Sequence, residues 1–106
     1  MEVTAWNNGQ HHTTGAGYGF KLSIEDRDRF FNKEWQSIFL SIPDATGEVE
    51  INIAKSSFWN QSCRELISKE IGNWLIKSDL APWPSRQPPK FILERKEGNH
   101  FQVKKK

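Results

Sequence analysis

The residues of this 106-residue chain best equipped for recognition chemistry lie in one run, Trp59-Asn60-Gln61-Ser62-Cys63-Arg64. Asn60 and Gln61 carry carboxamides, which offer a donor and an acceptor together, the pattern that an adenine edge presents in the major groove. Arg64 carries a guanidinium that can fork onto guanine O6 and N7 or onto a phosphate. Trp59 brings a ring able to stack, and its position at the head of a polar run suggests a surface location. From Asn52 to Arg64 no acid occurs, and Lys55 falls within that stretch, so a surface built from it would not repel an anion. Taken alone, the same run also describes a polar turn between strands in which Arg64 pairs with a nearby carboxylate.

Other constellations have weaker chemistry. His11 and His12, with Thr13 and Thr14, could act as ligands, acid-base groups or phosphate contacts, but adjacent histidines on an extended segment point opposite ways, which disfavours joint chelation. A solvated arm that orders on a partner suits them better. Gly15, Gly17 and Gly19 resemble a phosphate loop, yet no Gly-Lys-Ser/Thr follows; close backbone approach or a bulged strand accounts for them. Pro43-Asp44 and Glu94-Arg95-Lys96 mimic the signature of metal-dependent nucleases, but both stand at turns, where convergence on one metal is not expected. His100 has no evident partner in sequence.

Five Trp and seven Phe supply apolar area enough for one folded domain. No segment reaches the roughly 18 apolar residues of a membrane helix, and the first residues lack the basic-then-apolar order of a signal peptide. The single cysteine, Cys63, has no internal disulfide partner. These features lead us to expect a cytoplasmic protein. The net charge of +2 decides nothing, because without Lys104-Lys105-Lys106 the chain has 12 basic against 13 acidic side chains.

These residues are positioned by a predominantly β pattern. Residues 1–16 read as an irregular, glycine-rich arm entering a strand at Tyr18–Leu22. Ser23 caps a short helix over Glu25–Phe31. Ile38, Leu40 and Ile42, then Val49, Ile51 and Ile53, alternate with polar residues across the turn Pro43–Gly47 and predict a hairpin. Cys63–Ile67 is a further strand, and Ser68 caps a helix over Lys69–Lys77 with Ile71, Trp74 and Leu75 on one face. After the proline-rich connector, Lys90–Arg95 and His100–Val103 form a last hairpin, followed by a basic tail at 104–106.

The stretch from Ser56 through Trp59-Asn60-Gln61-Ser62-Cys63-Arg64-Glu65-Leu66-Ile67 to Trp74-Leu75 resembles the centre of the plant "B-three" DNA-binding domain: aromatic strand end, polar arm, aliphatic strand, amphipathic helix. Gly19-Phe20-Lys21-Leu22-Ser23-Ile24 and the short helix ending in Phe30-Phe31 resemble that family's opening, so the likeness covers the chain from about Gly17 onward. The arm has fewer arginines than the plant domains, and Leu80-Ala81-Pro82-Trp83-Pro84 stands where they have a Gly-Asp element. Both departures favour the related effector domain of EcoRII-type restriction endonucleases.

The resemblance implies a mainly β (α+β) fold with two short helices: an open, seven-stranded DNA-binding pseudobarrel that grips the major groove with two arms. Carried onto this chain, the C-terminal arm is Trp59, Asn60, Gln61, Ser62 and Arg64. The N-terminal arm lies within His12 to Ser23, with Thr14, Tyr18 and Lys21 foremost. Lys21, Lys55, Arg64 and the lysine tail would meet phosphates. The expectation is a non-catalytic, sequence-specific reader of double-stranded DNA, with no metal, cofactor, small-molecule substrate or membrane partner, acting as a monomer at the bacterial nucleoid. Two alternatives remain: a ribonuclease-like toxin using His11 or His12 with Arg64, and a protein-interaction or immunity module.

Overall fold

The computed structural model describes residues 1–43, 45, 47–60 and 64–106. Asp44, Gln61, Ser62 and Cys63, each part of an expectation above, lie outside the described residues, as does Thr46. The elements run β1 (Glu2–Asn7), β2 (Tyr18–Lys21), α1 (Ile24–Phe30), β3 (Ser37–Ser41), β4 (Glu48–Asn52), α2 (Ser56–Trp59), β5 (Glu65–Ile67), α3 (Lys69–Lys77), β6 (Lys90–Glu97) and β7 (His100–Lys105).

The two-residue periods act as expected. Ile38 and Leu40 on β3, Ile51 on β4, Phe91 and Leu93 on β6, and Phe101 and Val103 on β7 are all buried, while their neighbours face outward. The seven strands form one sheet in the order β4-β3-β7-β6-β1-β2-β5. Every pairing is antiparallel except β3 with β7, which is parallel and joins Phe39 to His100 and Leu40 to Phe101. The sheet curls into a nearly closed barrel around a single aromatic and aliphatic core, giving the mainly β pseudobarrel with short helices.

Two expectations about the elements need correction. Residues 2–7 are not an irregular arm but β1, an interior strand paired with β2 on one side and β6 on the other. Its inward side chains are only Val3 and Ala5, too little apolar content to announce a strand; pairing with both neighbours makes it one. Among the described residues the helices number three rather than two, because Ser56–Trp59 forms the additional single turn α2.

The helix caps follow the sequence closely. Ser23 Oγ accepts from the Asp26 amide at 3.1 Å and starts α1, while Ser68 Oγ accepts from the Glu70 amide at 3.2 Å and starts α3. The Ser68 hydroxyl also donates to Glu70 Oε2 at 2.7 Å, which holds the Glu70 carboxyl below its usual range.

Close backbone approach, not phosphate cradling, explains the glycines. A Cβ on Gly72 of α3 would lie 2.1 Å from the Gly15 carbonyl oxygen, so the loop between β1 and β2 rests directly on the helix. A Cβ on Gly19 would lie 2.3 Å from the Leu66 carbonyl oxygen, which makes the β2–β5 pair equally intolerant. In an ordinary helix interior, alanine is better than glycine by roughly 1 kcal/mol. Here Gly72→Ala should instead destabilise the protein by about 1–3 kcal/mol in urea unfolding, because the methyl meets backbone that cannot move aside. A variant as stable as the parent would show that this contact is not tight.

Candidate nucleic-acid interface

The base of the expected C-terminal arm is organised by a residue the sequence reading overlooked. Arg27, on α1, is only 4% exposed. Its Nη1 donates to the Phe58 carbonyl at 2.9 Å and to the Asn60 carbonyl at 2.5 Å. Its Nε and Nη2 reach Asp28 at 3.1 and 3.0 Å, and its guanidinium lies 5.5 Å from the centre of the Trp59 ring. One buried cation thus donates to two carbonyls at the end of α2, that of Phe58 within its last turn and that of the extended Asn60 just after it. A signal was present: Arg27 falls between Ile24 and Phe31 at helical spacing, on the stripe that faces the core.

Trp59 is accordingly half-buried and occupied. Its Nε1 donates to the Ile53 carbonyl at 2.9 Å and its ring packs edge-on against Phe58, so it braces the arm instead of offering a free stacking face. Asn60 is exposed. Arg64 is half-buried, with Nε donating to the Leu22 carbonyl at 2.7 Å, while the Leu22 amide donates to the Arg64 carbonyl at 3.1 Å. The arm is therefore tied to the C-terminal end of β2, and Arg64 is partly structural.

The loop between β1 and β2 leaves from the other end of β2, where Asn7 pairs with Tyr18 and the Asn8 amide donates to the Gly17 carbonyl. Here Tyr18 corrects an expectation. It is a core residue, 1% exposed, with its hydroxyl 2.9 Å from His11 Nδ1 and its ring edge-on to both His11 and Trp83. A side chain so enclosed cannot touch a partner. His11 is half-buried in the same aromatic box, whereas His12 and Thr14 are exposed; the loop is not a free solvated arm.

Between these two ends the outer face of the sheet carries Thr4 and Trp6 on β1, Lys21 on β2, and Glu65 and Ile67 on β5. Register places Trp6, Gly19 and Ile67 in one row, and Thr4, Lys21 and Glu65 in the next. Gly19 leaves the first row low, and beside it lies a depression of about 180 Å³ bordered by Trp6, Lys55, Ser57, Glu65 and Ile67. Ile67 is 42% exposed, the one exposed large apolar side chain among the described residues. Glu65 Oε2 is shielded from solvent with no hydrogen-bond donor among the described residues. Lys21 and Lys55 are exposed, as is Ser23, although its hydroxyl is engaged in capping α1.

The remaining expectations fall away from this face. The lysine tail is not loose: Lys104 and Lys105 belong to β7, Lys104 pairs with Glu94 at 3.1 Å, and Lys106 pairs with Glu2. Glu94 lies within β6, and among the described residues no group of histidine, cysteine and acidic side chains could hold a metal ion. His100 does have a partner, Glu48 at 2.8 Å, and stacks on Phe39. His11 lies beside Tyr18 at one end of β2, and Arg64 beside Leu22 at the other. Comparison with known proteins returned no matching family model, no matching curated protein and no matching solved structure.

Two measurements follow from this geometry. Arg27→Met removes the donors while leaving the Phe58 and Asn60 carbonyls in place, and should cost about 2–3 kcal/mol in urea unfolding; a loss under about 0.5 kcal/mol would put the clamp in error. Burial pushes the Tyr18 phenol above its ordinary value of 10.0. Because the folded state holds this proton more tightly, the contribution to stability is full below that value and is lost as pH rises through the folded one. Tyr18 is the chain's one tyrosine, so the tyrosinate absorbance should develop above pH 10.0. Ionisation at the ordinary value with the fold intact would contradict the enclosed hydroxyl.

Proposed function

We propose that this protein binds double-stranded DNA through the major groove, reading sequence without catalysing a reaction. The observation that supports the reading is that Arg64, which closes the candidate C-terminal arm, and the β1–β2 loop are joined to opposite ends of β2. At a strand rise near 3.3 Å, the path from Tyr18 to Leu22 spans about 13 Å, close to the roughly 12 Å width of the B-DNA major groove. Between the arms stand Lys21, exposed and cationic, and Ile67, whose apolar surface suits a thymine methyl group. Asn60, exposed at the head of the C-terminal arm, supplies a carboxamide for a base edge, and Gln61 follows it in sequence.

The resemblance to the B-three domain supports the same reading. The matching run, Ser56 to Leu75, supplies β5 and most of α3 in the order that family implies, after a hairpin and a first helix, with the helical turn α2 standing where the family has a strand end. By that likeness the protein would act on chromosomal or invading DNA in the cytoplasm, either as the reader of a restriction system or as a regulator. Tyr18 is not part of the reading, and Arg64 is engaged at least in part by its bond to Leu22.

The test is selection from a randomised duplex library at low and moderate salt, with Lys21→Ala and Asn60→Ala alongside. Neither residue lies in the core, so both variants should fold. Enrichment of one short motif is expected. Lys21→Ala should weaken all sequences alike and reduce the salt slope by about one, while Asn60→Ala should cost about 1–3 kcal/mol on the preferred site and relax one position. Failure of the folded protein to retain any duplex at low salt would sink the assignment.

A further inference from the structure

A second set of cations gathers beyond the C-terminal end of α1. Arg29, Asn32, Lys33 and Arg95, with Phe30 and Trp35, line an open depression of about 350 Å³ that contains no carboxylate. Three like charges in so small a space repel one another, and the usual remedy is an acidic neighbour. Here none is used: Arg29, Lys33 and Arg95 make no ion pair among the described residues. Of the acids on the same helix, Asp28 is occupied by Arg27, and Glu25 and Asp26 stand in the first turn and do not line the depression.

Aromatic rings hold the cations instead. Arg29 lies 5.6 Å from the centre of the Phe30 ring, Arg95 lies 5.9 Å from Trp35, and Lys33 lies 5.8 Å from Trp59. Cation–π contact positions a side chain without neutralising it, so these charges stay available. Arg95 is further fixed by its Nε donating to the Gly98 carbonyl at 2.9 Å. The Asn32 Oδ1 accepts from the Glu34 amide at 2.8 Å, which leaves its Nδ2 as a neutral donor. Two planar forks, an ammonium and an amide around an open hollow match a tetrahedral oxyanion with several acceptors.

We propose that Arg29, Lys33 and Arg95 form a phosphate-binding site that takes a backbone phosphate of duplex DNA. The choice of phosphate source rests on the DNA-binding reading; the convergence of unneutralised cations does not. What favours the backbone is position: Lys33 shares the Trp59 ring with Arg27, and Trp59 immediately precedes Asn60. A duplex engaged by Asn60 would carry a flanking phosphate past this hollow. The site thus extends the interface from the outer face of β2 and β5 round to α1 and the β6–β7 hairpin.

The experiment has two arms, each run on the parent, Arg29→Gln/Lys33→Gln, and the triple variant that adds Arg95→Gln, after urea unfolding has confirmed that all fold. In the first, duplex affinity is measured as a function of salt. The triple variant should lose about tenfold in affinity and about one unit of salt slope for each phosphate released, evenly across sequences. In the second, inorganic phosphate is titrated into isotopically labelled protein. The Trp35 indole resonance should shift saturably in the parent and stay still in the triple variant.

Duplex binding with an unchanged salt slope, together with a silent Trp35, overturns this inference and leaves the DNA reading standing. A Trp35 shift in protein that retains no duplex supports the oxyanion site and overturns its assignment to a DNA backbone. A shift that persists in the triple variant removes these cations from the site.

Discussion

A single buried guanidinium governs how the candidate interface is built. Arg27 occupies a core-facing position on α1, where an aliphatic side chain would pack at less cost in desolvation. It is held there because each of its three nitrogens finds an acceptor among the carbonyls of Phe58 and Asn60 and the carboxylate of Asp28. Those two carbonyls belong to the point where α2 ends and the chain turns toward β5, which is where backbone groups ordinarily lose their partners. The cation therefore joins α1, the bracing ring of Trp59 and the start of the arm into one unit. The conformation of Asn60 depends on a residue more than thirty positions earlier in the chain.

The other end of β2 is held by packing instead of charge. The loop between β1 and β2 lies on α3 through the Gly15–Gly72 approach, and its His11 closes an aromatic box with Tyr18 and Trp83. Trp83 comes from the proline-rich connector after α3, so that connector has a packing role at the base of the loop. Arg64 is bonded to Leu22 at one end of β2 and this box packs at the other, so β2 serves as a rigid spacer between these two anchor points. Their separation is set by strand geometry, not by loop flexibility.

Charge is divided unevenly over the surface. Apart from Arg27 with Asp28, the ion pairs found among the described residues all involve β6, β7 or the residue after it: Lys90 and Lys106 with Glu2, Lys96 and His100 with Glu48, and Lys104 with Glu94. Exposed pairs of this kind add little stability, but they do neutralise that region. Lys21, Lys55, Arg29 and Lys33 have no such partners among the described residues. A net charge near zero thus conceals cations available around β2, α1 and α2, which is why composition said nothing about partners.

Much of the fold was legible because its signals are local. Ser68 and the apolar spacing of Ile71, Trp74 and Leu75 marked α3 at Lys69–Lys77, and the alternation of Ile38, Leu40 and Ile42 marked β3. The runs Lys90–Arg95 and His100–Val103 marked the last hairpin. Three features were not legible. The pairing of β1 with two neighbours rescues a segment whose inward side chains are only Val3 and Ala5. The burial of Tyr18 depends on His11 and on Trp83, which is 65 residues away in the numbering. The role of Arg27 was not legible, although its spacing from Ile24 and Phe31 put it on the core-facing stripe, because its acceptors Phe58 and Asn60 lie more than thirty residues away. The sequence by itself determined the helix caps at Ser23 and Ser68 and the two hairpins, since these depend on neighbours within one turn or one pleat. Only the tertiary structure decided which polar side chains face a partner and which hold the frame, because a hydrogen bond to a remote carbonyl leaves no periodic trace along the chain.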